Sequence, residues 1–507
     1  MNSPLKITLI SLGALAGGCA LIVGLSWNSP RMAVLRHRLF SREDPVVEKF
    51  EPYRRPYHGS ILAQDGVVLA QDRVCFDLYL KAGREYSTEE LRKLARKLAY
   101  IKPEKTAGRW WETLKEVSDS GTYYKCIAKG LSEEALGYVC GEDETLIRIV
   151  QRHEREYPCG ELARRTIGYV LDGDRSFKVG LEGKYEDHMY RGWNSQPQSL
   201  QTTLDMDIQA AVDEAFRSKV DSTVIGACFV LMEVESGAIR AMVNLHRALD
   251  GRIGEYYNYA IGYSYEAGAP ASPMTYAAAL CDHVSWSGNP PVEKVVTAYN
   301  DSPEYFIQSL KEMTLAGHTS EFDIVGLREP DFPSPKSVNS QNDLAALARG
   351  FSWTLTPLHL LAFYNMVAGD GVKRMPYLVE GFYDGETLCP CEHNPLEGGI
   401  GGEVAAELAS ILKANSHFSS ALSGSKVQIV GMSGVSQQVL DPCLRKEGFF
   451  YEGKKGEHKY ASTFAGYFPA EEPKYSVVCA VFTDTVLGYP PVLSVPVQVV
   501  CELAELL

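Results

Sequence analysis

Apolar and polar positions recur with several different periods along this chain, and each period predicts a different element. Ile7 to Trp27 carries no charged residue, and about 20 apolar residues suffice to cross a bilayer as a helix. One N-terminal transmembrane helix is therefore expected over 7–27, after a short tail at 1–6. From 28 to 200 the pattern is charged and irregular, with a period-two run at Cys75-Phe76-Asp77-Leu78-Tyr79-Leu80 and a helical stretch from Thr88 to Tyr100. That mixture predicts an α+β module. Trp193-Asn194-Ser195-Gln196-Pro197 is polar and ends on proline, which suits a linker and places a domain boundary near residue 200.

A second domain over 201–507 reads as strands, then helices, then strands. Ala227 to Met232 predicts a buried strand, Glu235-Ser236-Gly237 a turn, and Ile239 to Val243 its hairpin partner. Leu344 to Leu347 and Pro357 to Ala368 carry apolar residues at helical spacing, the second with Thr356 as cap and Pro357 at the first helical position. Strands return at Val427 to Val430, Ala461 to Phe468 and Tyr475 to Phe482 before a short final helix. Strands at both ends of a domain around central helices predict one antiparallel sheet, closed by distant segments and flanked by helices.

Composition supports this division. At 507 residues the chain exceeds what one core sustains, since single cores stop growing at roughly 250–300 residues. Hydrophobic residues at 45% and charged residues at 22% argue against long disorder. A formal charge of −14 disfavours a broad phosphate-binding surface, so nucleic acid is not an expected partner. A cleaved signal, or a lipoprotein signal with Ala16-Gly17-Gly18 before Cys19, competes with the anchor, but the apolar run continues through Ala20-Leu21-Ile22-Val23 past either cleavage point. Lys6 precedes the span while Arg31, Arg36, Arg38 and Arg42 follow it, and the positive-inside bias alone would put the body in the cytoplasm. Twelve cysteines are too sparse for a disulfide scaffold, although some could pair outside the cytoplasm. Cys389-Pro390-Cys391 with His393 hints at a metal site but has no second ligand pair of CxxC or HxxxH type, so no metal and no cofactor are expected.

Several local sequences, in order, resemble those of the class B penicillin-binding proteins, the monofunctional peptidoglycan transpeptidases. His58-Gly59-Ser60-Ile61-Leu62-Ala63-Gln64-Asp65-Gly66-Val67-Val68-Leu69-Ala70 is similar to the family's "RGxIxDRNGxxLA", and Val179-Gly180-Leu181-Glu182-Gly183-Lys184-Tyr185 to its "GLEGxY". Thr203-Leu204-Asp205-Met206-Asp207-Ile208-Gln209 resembles "TIDxxLQ", and the hairpin at 227–244 resembles "VVMDPKTGEILAMAN". Asn258-Tyr259-Ala260 stands where the family has "NRA". Thr356-Pro357-Leu358-His359-Leu360 with Gly369-Asp370-Gly371 looks like "TPLQLA" and "NGG", and Ala461 to Ala470 with Pro473-Lys474-Tyr475 like "ASFVGFAPADNPKY". The resemblance implies a non-catalytic α+β pedestal over 28–200 and a β-lactamase-like transpeptidase domain over 201–507. It also implies an extracytoplasmic body, against the charge bias, and partners such as a polytopic peptidoglycan glycosyltransferase and division or elongation proteins.

Acyl transfer to serine needs a hydroxyl whose proton a neighbouring base can take, and the family supplies this as SxxK. Here the family's "YEPGSTFKP" reads Tyr265-Glu266-Ala267-Gly268-Ala269-Pro270-Ala271-Ser272-Pro273, so Ala269 stands for the nucleophile and Ser272 for the lysine. The counterpart of SxN is Asp301-Ser302-Pro303, in which Asp301 and Pro303 replace both polar groups. The KTG segment reads Met432-Ser433-Gly434, without its cation. Ser423 to Lys426 and Ser3 to Lys6 also spell SxxK, and Ser337-Val338-Asn339 spells SxN, but they lie in a loop, before the span and in a Pro-rich connection. Loss of a serine nucleophile or its base lowers turnover by on the order of 10⁶. The resemblance therefore points to a scaffold or regulator of wall synthesis with no catalytic residues. Two other readings stay open: a transpeptidase that uses Ser272, and a module that binds peptidoglycan stem peptides in the cleft.

Overall fold

The computed structural model of the protein describes residues 58–81, 84–123, 125–140, 146–170, 178–189, 197–220, 222–286, 292–415, 427–438, 459–483 and 495–506. The expected tail and membrane span at 1–27 lie outside the described residues. Among the described residues no helix is long and apolar enough to cross a membrane.

The described chain opens with β1 (Ile61–Leu62) and β2 (Val68–Leu80), an antiparallel pair in which Ile61 faces Ala70 and Leu62 faces Val68. Two compact units follow: Cys75–Arg152 form one, and Pro56–Val74 with His153–Leu507 form the other. In the first unit the C-terminal half of β2 pairs with β3 (Ala128–Leu131), Phe76 opposite Leu131 and Leu78 opposite Ala128. Helix α1 (Thr88–Ile101) begins at a capping box in which Ser87 accepts from the Glu90 amide and Glu90 accepts from the Ser87 amide. Helix α2 (Ala107–Ser120) begins at Thr106 and stops at Gly121, whose φ of 65° suits a left-handed cap. The apolar stripes of both helices, Leu91, Leu94 and Leu98 with Trp110, Leu114 and Val117, share one core. Helix α3 (Glu133–Cys140) and the part of β4 (Ile147–Glu156) up to Arg152 complete the secondary structure here.

The second unit starts with a small ribbon, β5 (Tyr169–Val170) against β6 (Lys178–Val179), and β7 (Leu200–Thr202), which lies parallel to β1 with Ile61 opposite Leu200. Its main sheet joins β8 (Val224–Glu233), β9 (Ile239–Arg247), β10 (Ile253–Gly254), β13 (Val430–Gln437), β14 (Tyr460–Phe468) and β15 (Tyr475–Thr483), in the order β10-β9-β8-β15-β14-β13. All its pairings are antiparallel. Between β10 and β13 the chain adds β11 (Val379–Asp384) and β12 (Thr387–Pro390), which extend the β7–β1 side. Its helices of eight residues or more are α4 (Met206–Lys219), α5 (Ser272–Cys281), α6 (Val292–Tyr299), α7 (Pro303–Glu312), α8 (Gln341–Ala348), α9 (Pro357–Ala368), α10 (Gly402–Asn415) and α11 (Val495–Leu506).

Strands buried on both faces need cover on both. On one face Val212 and Phe216 of α4, with Val499, Val500 and Leu503 of α11, pack on Phe229, Val243, Val477 and Val481. On the other, Met274 and Ala278 of α5 and Leu360, Phe363 and Tyr364 of α9 pack on Cys228, Val230, Met242 and Val478. The hairpin, the returning strands and the distant closure follow the sequence pattern. Strand β13 differs: it begins at Val430, not Val427, and runs through Met432-Ser433-Gly434 to Gln437 at the sheet's edge.

The segments that carried the family resemblance are fastened internally. Asp205 caps α4, its carboxylate accepting from the Asp207 and Ile208 amides, and the buried Gln209 amide exchanges two hydrogen bonds with the Met242 backbone. Glu182 accepts from Arg155 Nε at 2.7 Å and Tyr157 OH at 3.0 Å, while Arg155 Nη1 donates to Asp72.

Candidate functional site

The residues expected at the first motif form a tight turn ahead of α5. Tyr265 pairs with Leu355 through two backbone hydrogen bonds of 3.1 Å, and the Ser352 amide donates to the buried carboxylate of Glu266 at 2.7 Å. The chain then reverses at Gly268, whose φ of 62° is a left-handed conformation that L side chains rarely adopt. The Gly268 amide donates to Gly350 O at 3.0 Å. Gly350 has no room for a side chain, since a Cβ there would stand 2.2 Å from Gly268 O. Behind the turn, Tyr364 OH donates to Pro270 O at 3.0 Å. A single 3₁₀ turn, Ala269–Ala271, then leads into α5.

Ala269 and Ser272 therefore lie one turn apart on one face, as the SxxK spacing requires. Ser272 is 6% exposed. Its hydroxyl donates to Ala269 O at 2.8 Å, lies 4.0 Å from Met432 Sδ and is hydrogen-bonded to Tyr276 one turn on. Burial pushes the Tyr276 hydroxyl up, partly offset by the Ser272 hydrogen bond. Strand β13 closes the other side: a Cβ on Gly434 would stand 2.5 Å from Pro270 Cδ and 3.3 Å from Ala269 Cβ. The structure thus brings Ala269, Ser272, Met432 and Gly434 together, with Ser433 exposed on the same strand. Among the described residues, a carbonyl, a thioether and an un-ionised phenol surround the Ser272 hydroxyl. None of them takes a proton from serine at neutral pH.

Asp301 and Pro303 are not brought to this turn. Asp301 is exposed, Pro303 opens α7, and Ser302 occupies the cap position without a side-chain capping bond. Their neighbours Tyr299 and Tyr305 both donate to Asp282, which caps the C-terminal end of α5. A ten-residue helix separates that end from the Ala269 turn, a length of about 15 Å. Ser337 and Asn339 serve a different purpose: Asn339 donates its amide to Asp343, part of the capping box of α8. Ser3 to Lys6 and Ser423 to Lys426 include residues outside those described. In the Cys389-Pro390-Cys391 segment both cysteines are free thiols, and His393 stacks on Tyr377 at 3.5 Å while bonding Val379 O.

Three supports of the turn were not visible as such in the sequence. Tyr364 reads there as one more apolar position of α9, Tyr276 as part of α5, and Gly350 as a loop glycine. The only available signal was the glycine itself, in Arg349-Gly350-Phe351.

Comparison with known proteins agrees with this geometry. The Penicillin-binding Protein dimerisation domain profile matches residues 53–196. The Penicillin binding protein transpeptidase domain profile matches residues 317–489, which take in Met432 to Gly434 but neither Ala269 nor Ser272. Penicillin-binding protein PbpB of Mycolicibacterium smegmatis is 23% identical over 405 residues, 64% of this chain. The chain spans 60% of the length of that relative. A peptidoglycan synthetase from Bifidobacterium adolescentis superposes with a TM-score of 0.62 at 13% identity, over 89% of this chain and 95% of that one. Penicillin Binding Protein 2X from Streptococcus thermophilus superposes with a TM-score of 0.65 at 14% identity, over 89% of this chain and 79% of that one. With its dimerisation segment and its transpeptidase segment, the chain belongs to the class B penicillin-binding proteins.

Proposed function

We propose that this protein is a non-catalytic penicillin-binding protein that acts as a scaffold or regulator in peptidoglycan synthesis. The observation that carries the reading is the occupancy of the turn at α5: an alanine methyl at 269, and at 272 a buried hydroxyl bonded to the Ala269 carbonyl. A serine nucleophile needs a base within hydrogen-bond reach. Among the described residues, the partners of Ser272 supply none. Residues 7–27 anchor the chain in the membrane as a single span, with the body on the extracytoplasmic side, where peptidoglycan is built. Its partners on this reading are a polytopic peptidoglycan glycosyltransferase and proteins of division or elongation, engaged through the anchor and the pedestal. Residues 28–200 act as that pedestal and 201–507 as the transpeptidase-like domain.

The test is covalent. Full chain in membranes is incubated with a fluorescent penicillin beside an active penicillin-binding protein. The expected result is labelling of the active protein alone, and a stable acyl adduct on any serine of this chain overturns the reading.

A further inference from the structure

Helix α1 presents a basic stripe to solvent. Arg92, Arg96 and Tyr100 stand four residues apart, so they lie along one exposed face while Leu91, Leu94 and Leu98 fill the core. Arg92 and the exposed Lys115 of α2 converge on the same indole, their charged groups 5.6 Å and 5.3 Å from the Trp111 ring. Two cations sharing one ring repel each other unless an anion sits near them. Glu89 and Glu112 flank the stripe, yet among the described residues neither forms an ion pair with Arg92, Arg96 or Lys115. The nearby carboxylates Glu90 and Glu116 are already paired, with Arg84 and Lys125. At the far end of the stripe Tyr100, 73% exposed, packs at a tilt against Tyr138 of α3, 49% exposed, with ring centroids 4.8 Å apart and an interplanar angle of 30°.

We propose that this face, formed by Arg92, Arg96, Lys115 and the Tyr100–Tyr138 pair, binds the anionic lipid headgroups of a membrane surface. Basic residues beside exposed amphipathic rings are the composition that settles at a lipid–water interface, where tyrosine keeps its hydroxyl wet and its ring among the upper acyl carbons. Each cation near an anionic surface contributes about 1 kcal/mol. The chain's net charge of −14 does not prevent this, because exposed charges are screened beyond about 8 Å at physiological salt. A soluble polyanion would use the cations but leave the paired tyrosines without a role. The proposal does not rest on the absence of catalysis.

Lysine footprinting tests it on the full chain. The protein is mixed with vesicles of phosphatidylcholine, or of phosphatidylcholine and phosphatidylglycerol in equal parts, and acetylated with a water-soluble ester before mass spectrometry. The expected result is a fall of about threefold or more in Lys115 acetylation with the anionic vesicles only, given three cations at the surface. Lys336, exposed in the other unit, serves as the control and should not change. High salt should reverse the protection, and the double variant Arg92→Glu with Arg96→Glu should abolish it; both arginines are exposed, so folding is undisturbed. Equal acetylation in the two vesicle types overturns the proposal. So does equal protection of Lys115 by inorganic polyphosphate in zwitterionic vesicles, which would make the partner a soluble polyanion.

Discussion

The back and the front of the α5 turn obey different constraints. Behind it, every group is fixed by geometry: Gly268 in a left-handed conformation, Gly350 against it without space for a Cβ, Glu266 bonded to the Ser352 amide, and Tyr364 bonded to Pro270 O. In front, Ala269, Ser272 and Met432 touch one another through a hydroxyl, a carbonyl and a thioether that other residues of similar size could replace. The difference teaches that the shape of a turn can be held by groups other than those that line its front. Substitution at the front then leaves the shape standing, whereas substitution at the back should not.

Gly350 offers the most direct way to break that comparison. In Gly350→Ala the new methyl meets Gly268 O at 2.2 Å and Ala271 Cβ at 3.0 Å, at a φ of 80°. Overpacking and left-handed strain together should cost about 3–5 kcal/mol, read as a lower urea midpoint of the full chain. An unchanged midpoint would mean that the back of the turn yields as easily as the front.

A smaller effect comes from His359, at the start of the helix that carries Tyr364. Its Nδ1 accepts from the Leu315 amide at 3.1 Å and its Nε2 reaches Arg328 O at 2.8 Å, which fits a neutral ring with the proton on Nε2. Burial pushes its pKa from 6.5 down to about 4, only partly offset by the bond to Arg328. The unfolded chain therefore binds a proton that the folded chain refuses between pH 6.5 and about 4. Stability from this group is present above pH 6.5 and lost as the pH falls through that window, by on the order of 1–3 kcal/mol. His359→Gln keeps a donor and an acceptor and should flatten the urea midpoint across the same range. A slope equal to that of the parent would show that other groups carry the acid sensitivity.

Much of this frame is legible in local sequence, because it depends on local periods. The hairpin of β8 and β9 follows from its apolar runs and the Glu235-Ser236-Gly237 turn, and α9 starts where Thr356-Pro357 says it should. The pairing of Ala269 with Ser272 follows from helical spacing alone. The extent of β13 does not, because Ser433 and Val435 are exposed on an edge strand and break the apolar signal. Nor is the division into compact units local: β1 joins β7 across a sequence separation of 139, as between Ser60 and Ser199. Asp301 and Pro303 were placed at the site by order along the chain, which says nothing about which end of α5 that segment reaches.

Ser272→Ala gives the smallest expected change and the sharpest reading. Structurally it removes the hydrogen bond to Ala269 O at 2.8 Å and the one shared with Tyr276, and leaves a carbonyl at a half-buried position. That should lower stability by about 1 kcal/mol or less, far below the effect of Gly350→Ala. Functionally the two sides of the comparison part company. If the front of the turn only fills space, cells carrying Ser272→Ala keep their growth rate and their wall cross-linking. If Ser272 is a nucleophile, the same substitution removes a group on which turnover depends by orders of magnitude, and cross-linking falls while the urea midpoint barely moves. Measuring both quantities on one variant separates a fastening hydroxyl from a reacting one, because only the second can lose function without losing stability.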